Sequence, residues 1–198
     1  MSGPRYVVRI VKFDCVDESG VDFIGSDEPY WVFTAYDPNG KVHTTRSKVF
    51  GDIDSGETRR FQTDGDRNIV WPRKAAVQGA AAPIGLSVQL WEADQGDPDV
   101  VAKKTEQAFD LGERAPVVGT WVSLVPSIVR DQLADFIGDD LMGSVTLHFP
   151  AHRLERQLPR PGASLTKKVR LGGRSGDLPF EIAGGPDYDL HIRCTRVA

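Results

Sequence analysis

Short segments rich in β-branched and aromatic residues recur through most of this chain, and they constrain its fold more than any other feature. In two of them, residues 86–91 and 144–149, apolar and polar residues alternate with a period of two. That period is typical of strands that bury one face and expose the other. The sequence therefore predicts a largely β protein.

The same composition predicts further strands, although their alternation is weaker. They cover residues 6–13, 30–36, 41–49, 68–71, 165–171, 178–182 and 188–197. Asn39 and Gly40 separate the second of these segments from the third, and this dipeptide accepts the positive φ angles that a tight turn requires. Residues 30–49 are therefore predicted to form a β-hairpin.

Helical patterns are confined to the middle of the chain. Residues 99–109 begin with an aspartate that suits a helix N-terminus and contain good helix formers. Residues 126–137 place apolar side chains on one face and end at Gly138. Strands, then a helical segment at about 98–138, then strands again, indicate an antiparallel sandwich with a two-helix insertion.

Composition and charge exclude several classes of protein. The 198 residues suffice for one large domain, and the longest apolar runs are far shorter than the roughly 20 residues of a membrane-spanning helix. The net charge of −4 argues against bulk binding to nucleic acid. The N-terminus shows no apolar secretory segment, and the two cysteines cannot build a disulfide framework. We therefore expect a cytoplasmic protein.

Carboxylates concentrate where strands are predicted to end. Three clusters lie in residues 14–28, 92–99 and 139–140. Like charges in a few loops repel each other unless they are solvated or share a cation, and Ca²⁺ takes roughly 6–8 oxygen ligands in a flexible geometry. Glu92 and Asp94 are two residues apart, so in an extended segment both side chains leave on the same side. The clusters indicate either solvated turns or a Ca²⁺ site.

Three segments resemble C2 domains, in the order in which that family has them. In the first, Asp22 lies six residues before Glu28, and Gly-Ser-Asp-Glu-Pro-Tyr at 25–30 resembles the Gly-x-Ser-Asp-Pro-Tyr element of the first calcium loop. Leu-Ser-Val-Gln-Leu-Trp-Glu-Ala-Asp at 86–94 is similar to the strand and third loop whose Val-Trp-Asp-x-Asp pattern supplies two ligands. Asp-Asp-Leu-Met-Gly at 139–143 is similar to the Asp-Asp-x-Ile-Gly pattern that ends this loop.

The resemblance implies an all-β fold, an antiparallel C2-like β-sandwich with extra C-terminal strands, whose acidic loops converge at one tip and bind Ca²⁺. The implied metal ligands are Asp22, Asp27 or Glu28, Glu92, Asp94 and Asp140. One residue is inserted in the first element, so either Asp27 or Glu28 takes the ligand position, and Glu92 stands where the family has aspartate. We expect a single C2-like domain over residues 1–198, with the helical insertion at about 98–138 and a C-terminal strand extension at about 151–198.

The resemblance also implies a non-enzymatic module. Ca²⁺ would neutralise the tip and order its loops, and C2 domains commonly use this change to dock on anionic phospholipid or on a partner protein. Two alternatives stay open: a metal-independent structural or assembly subunit of a larger particle, and a carbohydrate-binding or hydrolytic β-sandwich that presents Trp31 or Trp91 to a sugar. No nucleophile elbow, phosphate loop, dinucleotide fingerprint or zinc-ligand spacing supports an enzyme.

The segment from Arg153 to Arg174 is the one basic region, with seven lysines and arginines against Glu155 alone. Its charge is opposite to that of the predicted tip, so an anionic partner could bind there, although a solvated strand face explains it equally simply. Cys15 and Cys194 lie near the two ends of the chain. If the terminal strands pair, these cysteines could be close, either as buried thiols or as a disulfide.

Overall fold

The structure, a computed structural model, describes most but not all of the chain. It covers residues 3–18, 28–36, 42–61, 68–72, 81, 85–94, 96–112, 139–172 and 186–198. At residues 110–112 and 140 the description covers only the backbone. Two of the sequence predictions, the helix at 126–137 and the strand at 178–182, lie outside the described residues.

Strands predominate in the described residues, as the sequence predicted. The strands are β1 (Tyr6–Asp17), β2 (Pro29–Tyr36), β3 (Val42–Arg46), β4 (Thr58–Arg60), β5 (Ile69–Trp71), β6 (Gly85–Glu92), β7 (Asp140–His148), β8 (Ser164–Gly172) and β9 (Asp187–Arg196). The helices are α1 (Pro98–Gly112) and α2 (Ala151–Gln157). The sequence did not predict β4, which has three residues, or α2, in which Leu154 is the one buried residue.

The strands form two antiparallel sheets that pack face to face. Sheet 1 has the order β4-β1-β9-β8, with β5 also paired to β1, and sheet 2 has the order β3-β2-β6-β7. β9 is a central strand of sheet 1, so the C-terminal strands complete the sandwich. Aromatic rings fill the space between the sheets: the centroid of Trp31 lies 5.7 Å from that of Phe13 on β1 and 6.2 Å from that of Tyr188 on β9. The predicted antiparallel β-sandwich is confirmed.

β2 has no apolar–polar alternation because both of its faces are buried. Trp31 and Phe33 belong to the core between the sheets. Tyr30 and Val32 point to the other side, where they belong to a second cluster that includes Val101 of α1. A strand covered on both faces reads as a continuous apolar run rather than as an alternating one. α1 is therefore a third layer on the outer face of sheet 2.

The sequence predicted α1, but the structure moves its N-cap by two residues. The Asp97 carboxylate accepts a hydrogen bond of 2.9 Å from the N–H of Asp99, and the Asp97 carbonyl accepts one of 2.8 Å from the N–H of Val100. Pro98 occupies the first helical position, where its missing N–H has no intrahelical partner to lose. Asp97 is therefore the N-cap, and Asp99 adds a negative charge to the first turn.

The two terminal strands pair, but they do not bring the cysteines together. In the antiparallel register of β1 and β9, Cys15 lies opposite Tyr188 and Cys194 lies opposite Val8. At roughly 3.3 Å per residue the two thiols are therefore about 20 Å apart along the sheet, and a disulfide is not possible. Both cysteines are buried thiols, and burial raises the pKa of the Cys194 thiol to about 12.

Candidate functional site

Sheet 2 places three of the predicted ligand residues at neighbouring strand ends. Pro29 at the start of β2 lies opposite Glu92 at the end of β6, and Glu92 lies opposite Asp140 at the start of β7. The N–H of Ala93 donates a hydrogen bond of 3.1 Å to the carbonyl of Glu28, which extends this ladder beyond the strands. The backbones of Glu28, Glu92 and Asp140 therefore share one end of sheet 2, which we call the tip.

The described side chains at the tip are accessible to solvent. Glu28 and Asp94 are exposed, and Glu92 is half-buried. At Asp140 the description covers the backbone alone, and the remaining predicted ligands, Asp22 and Asp27, lie outside the described residues. Among the side chains that the structure describes, no group of three or more histidine, cysteine, aspartate or glutamate residues is arranged to hold a metal ion. The six-residue ligand set stays a prediction.

The chemistry of these residues fits a hard cation. Glu28, Glu92 and Asp94 offer carboxylate oxygens, which are the ligands that Ca²⁺ takes in proteins, and no sulfur or imidazole ligand is needed. They project from strand ends and the loops that follow, where the backbone can adjust to the flexible geometry of a Ca²⁺ site. The donor set is therefore suitable for Ca²⁺, with these three side chains as the described candidates.

A fourth carboxylate, Asp139, organises the tip from inside. Its side chain is buried, with the residue 6 % exposed. One carboxylate oxygen accepts hydrogen bonds from the N–H groups of Asp94, at 3.1 Å, and Gly96, at 2.7 Å. The other oxygen accepts one of 2.9 Å from the hydroxyl of Tyr30 on β2. Asp139 therefore holds the loop after β6 against the starts of β2 and β7.

Tyr30 lies in the closed interior beside Asp139, with the residue 0 % exposed. Burial, and next the hydrogen bond to the Asp139 carboxylate, raise the pKa of the Tyr30 hydroxyl well above its usual value. The sequence showed Asp139 and Asp140 only as adjacent acidic residues, and nothing in the pattern separated an inward from an outward role. The partner Tyr30 is 109 residues away in the chain, so no local signal identified Asp139.

Gly143, the last residue of the Asp-Asp-Leu-Met-Gly segment, lets the two sheets approach each other near the tip. A Cβ atom at this position would lie 2.9 Å from the backbone nitrogen of Gly172 on β8, closer than side chains tolerate. Gly143 lies opposite Leu90 in the register of β6 and β7. A glycine here therefore allows β7 and β8 to come into contact where the acidic strand ends are.

The segment after β3 connects both sheets at the same end of the molecule. The N–H of Phe50 donates to the carbonyl of Pro29 in sheet 2, and the N–H of Gly56 donates to the carbonyl of Cys15 in sheet 1, both at 2.9 Å. The exposed Asp52 and Asp54 lie between these anchor points. This segment therefore passes beside the start of β2, next to the tip.

The outer face of sheet 1 carries a different arrangement of charge. Asp189 on β9 is paired with two cations of the predicted basic segment: Arg170 donates two bonds, at 2.9 and 3.0 Å, and Lys168 donates one at 3.0 Å. The Arg170 bonds are the main reason why the pKa of Asp189 is lowered. Arg153 and Arg156 are exposed on α2. The basic segment is therefore partly neutralised within the sheet.

Trp31 and Trp91 do not form a sugar-binding surface. Trp31 is 0 % exposed and Trp91 is 1 % exposed. The indole N–H of Trp91 donates to the side chain of Gln89, at 3.0 Å, beneath α1. Stacking on a sugar requires an exposed ring face, so the carbohydrate-binding alternative loses the two residues on which it depended.

No family model and no curated protein matches this chain. Among solved structures, the chain is similar to a C2 domain of plant extended synaptotagmin 1, with 10 % identity, 99 % of this chain and 97 % of that chain covered, and a TM-score of 0.42. It is also similar to another C2 domain, with 10 % identity, 99 % and 100 % covered, and a TM-score of 0.39.

A third similar structure is human GIVD cytosolic phospholipase A2 in complex with methyl gamma-linolenyl fluorophosphonate, with 12 % identity, 98 % of this chain covered and a TM-score of 0.40. The chain spans 17 % of the length of that phospholipase. None of the helices in the described residues is long and apolar enough to cross a membrane.

The fold follows from the topology of the chain itself. Two antiparallel sheets pack around an aromatic core, and the segments at 86–94 and 139–143 that resemble C2 domains pair as β6 and β7. The start of β2 joins them at the tip. The protein has the fold of a C2-like β-sandwich.

Proposed function

We propose that this C2-like module is a non-enzymatic, cytoplasmic Ca²⁺-binding protein, and that Ca²⁺ at the tip promotes docking on an anionic phospholipid surface or on a partner protein. The register that places Glu28, Glu92 and Asp140 at adjacent strand ends supports this proposal most directly. Asp22, Asp27 and Asp94 complete the proposed ligand set.

The electrostatics of the tip favour a cation from outside the protein. The described partners of Asp139 are two backbone N–H groups and a hydroxyl, which bring no positive charge. The same tip also carries the carboxylates of Glu28 and Asp94, which are exposed, and of Glu92, which is half-buried. A bound Ca²⁺ lowers this concentration of negative charge and links loops that otherwise repel each other. The tip then approaches an anionic surface at a smaller electrostatic cost.

Thermal unfolding with and without Ca²⁺ tests the metal site. A ligand that binds only the folded state stabilises it by about 2.7 kcal/mol at a hundred times its Kd, which for a chain of this size corresponds to roughly 5–10 °C in Tm. We expect this shift with millimolar CaCl₂, and we expect Glu92→Gln/Asp94→Asn to abolish it. Glu155→Gln, an exposed charge on α2, is the matched control and should keep the shift.

Docking is tested separately by co-sedimentation with vesicles. Phosphatidylserine vesicles should retain the protein in CaCl₂ and release it in EDTA, whereas phosphatidylcholine vesicles should not retain it. If Ca²⁺ raises the Tm but no vesicle binds, the docking surface is a protein. If Ca²⁺ leaves the Tm unchanged, the metal-binding proposal is wrong, and a metal-independent assembly subunit becomes the better description.

A further inference from the structure

A cavity of about 520 Å³ lies between α1 and the β3 edge of sheet 2. One wall is a single face of α1, which carries Asp99, Ala102, Lys103 and Glu106 at helical spacing. The opposite wall is formed by residues 44–48, at the end of β3 and just beyond it. The volume lies within the roughly 300–1,000 Å³ that small-ligand sites occupy, and the shape is a groove between a helix and a strand.

The strand wall can take part in backbone hydrogen bonding. β3 is the terminal strand of sheet 2 in the described order. The N–H of Ser47 donates to the carbonyl of Trp31 on β2, at 2.9 Å, so Ser47 bonds toward the sheet. Alternate residues of an antiparallel strand point their peptide groups in opposite directions, so those of Arg46 point away from β2, to the outer edge of β3, and Arg46 also lines the cavity. An extended peptide that enters the groove can continue the sheet there.

The floor of the cavity is aromatic and is bordered by a cation. Phe50 and Phe61 lie edge to face, with ring centroids 5.4 Å apart, and both line the cavity. The ammonium group of Lys48 lies 5.0 Å from the centroid of the Phe50 ring. Phe50 and Phe61 are only 4 % and 6 % exposed, so they offer an apolar side chain a small contact area, and the Lys48 ammonium beside them can attract a negative charge.

The charge balance of the lining favours an acidic ligand. Arg46 and Asp99 neutralise each other through an ion pair of 2.7 Å. The other charged groups that line the cavity are Lys48, Lys103 and Glu106, a net charge of one positive unit in a chain whose net charge is −4. Lys48 and Lys103 would repel a basic segment of another protein, or the basic segment 153–174 of a second copy.

We propose that this groove binds an extended, acidic peptide segment of a partner protein. The segment adds to the edge of β3 at Arg46, places one apolar side chain against the small exposed parts of Phe50 and Phe61, and directs one carboxylate at Lys48 and Lys103. The site is separate from the tip, and it requires no metal ion.

Selection from a phage-displayed library of short random peptides tests the proposal, with the full-length protein immobilised in EDTA so that tip-bound metal does not contribute. We expect enrichment of sequences that combine an apolar residue with neighbouring aspartate or glutamate. A fluorescein-labelled synthetic copy of an enriched peptide should then bind about tenfold more weakly, or worse, to Ala102→Trp, which fills the groove. Lys104→Glu should bind it normally, because Lys104 is exposed on the same helix but does not line the cavity.

The charge reversal Lys48→Glu/Lys103→Glu should also weaken peptide binding, and it adds no bulk to the groove. It therefore tests the site independently if Ala102→Trp disturbs the folding of α1. The Tm of each variant monitors folding. No enrichment on the native protein, or enrichment that both variants retain, would overturn the proposal. The groove binds a membrane instead if the charge reversal weakens binding to anionic vesicles while peptide binding persists. It binds a second copy of the protein instead if the native protein forms a concentration-dependent dimer that Ala102→Trp abolishes. Either result would also show that the proposal is wrong.

Discussion

Two buried aspartates, one at the tip and one on the outer face of sheet 1, have hydrogen-bond partners of different kinds. Asp189 is 5 % exposed and is paired with the cations Arg170 and Lys168 from the neighbouring strand. Asp139 is 6 % exposed, and its described partners are two backbone N–H groups and the Tyr30 hydroxyl. The partners of Asp189 neutralise its negative charge, whereas the described partners of Asp139 are neutral donors that bring no positive charge.

This difference follows from where each residue lies. The register of β8 and β9 places Arg170 opposite Asp189, and strands hold such long side chains side by side. Asp139 lies just before β7, where loop N–H groups converge and dipoles rather than charges are at hand. Asp189 on sheet 1 is thus paired with cations of the protein itself, whereas the described partners of Asp139 at the tip are dipoles.

The largest expected effect comes from removing the brace at the tip. Asp139→Ala leaves two backbone N–H groups and the Tyr30 hydroxyl without their partner, and buried donors left this way cost about 1–3 kcal/mol each. Because the loop can relax and admit water, we expect a loss of about 3–4 kcal/mol in the free energy of unfolding. Urea denaturation followed by tryptophan fluorescence measures it.

Asp139→Asn sharpens the same comparison. The amide oxygen can still accept from the N–H groups of Asp94 and Gly96, and the Tyr30 hydroxyl can turn to accept from the amide. We therefore expect a loss of only about 1 kcal/mol. The exposed Asp54→Asn serves as the control and should stay within about 0.5 kcal/mol of the native protein. Equal losses for the alanine and asparagine variants would show that the brace depends on its charge rather than on its hydrogen bonds.

The next effect concerns the pH dependence of a paired carboxylate in sheet 1. Partial burial raises the pKa of Asp14, but hydrogen bonds from Lys12, Thr58 and His191 outweigh it and lower the pKa from 3.8 to about 2. A depressed folded-state pKa stabilises the protein above the unfolded value, and this stability is lost as the pH falls through the folded value.

The free energy of unfolding should therefore fall by about 1–2 kcal/mol between pH 4 and pH 2 on account of Asp14, after allowance for its partial exposure. In Asp14→Asn this part of the decline should vanish, which urea titrations at several pH values can detect. A variant that declines as steeply as the native protein would contradict the assignment of the low pKa to Asp14.

The smallest effect is expected at Asp189. In Asp189→Asn the two former partners keep access to water, because the side chains of Lys168 and Arg170 are 58 % and 53 % exposed. We expect a loss of about 1 kcal/mol or less in low salt, and the difference from the native protein should shrink in molar NaCl because exposed charges are screened. A loss as large as that of Asp139→Ala would remove the contrast between the two regions.

Much of the fold could be predicted from the sequence, because strand patterns are local. Residues 86–91 lie in β6, as their alternation predicted, and residues 99–109 lie in α1. The prediction that β6 exposes one face is wrong, because Ser87 and Gln89 are also buried, each 1 % exposed. The hairpin is also confirmed, since β2 pairs with β3 in antiparallel fashion. Propensity and turn chemistry act over a few residues, so they are readable without knowledge of the tertiary structure.

The candidate site was predictable only in part. The resemblance to C2 domains pointed to the strand ends that the sheets then brought together, but it selected Asp140 and passed over Asp139. It also could not show that Lys168 and Arg170, which looked like free positive charge, are paired with Asp189 about twenty residues later. Such partners depend on register and packing, which no short segment contains.

The sequence by itself determined that this protein is built from antiparallel strands with acidic turns, because alternation, β-branched residues and turn residues express their preferences locally. Tertiary structure alone decided that α1 covers sheet 2 and forms a groove with β3. It also decided that one of two adjacent aspartates faces inward and that the cysteines lie far apart. Distances between residues that are remote in the chain are set by sheet register and close packing, and these arise only when the whole core assembles.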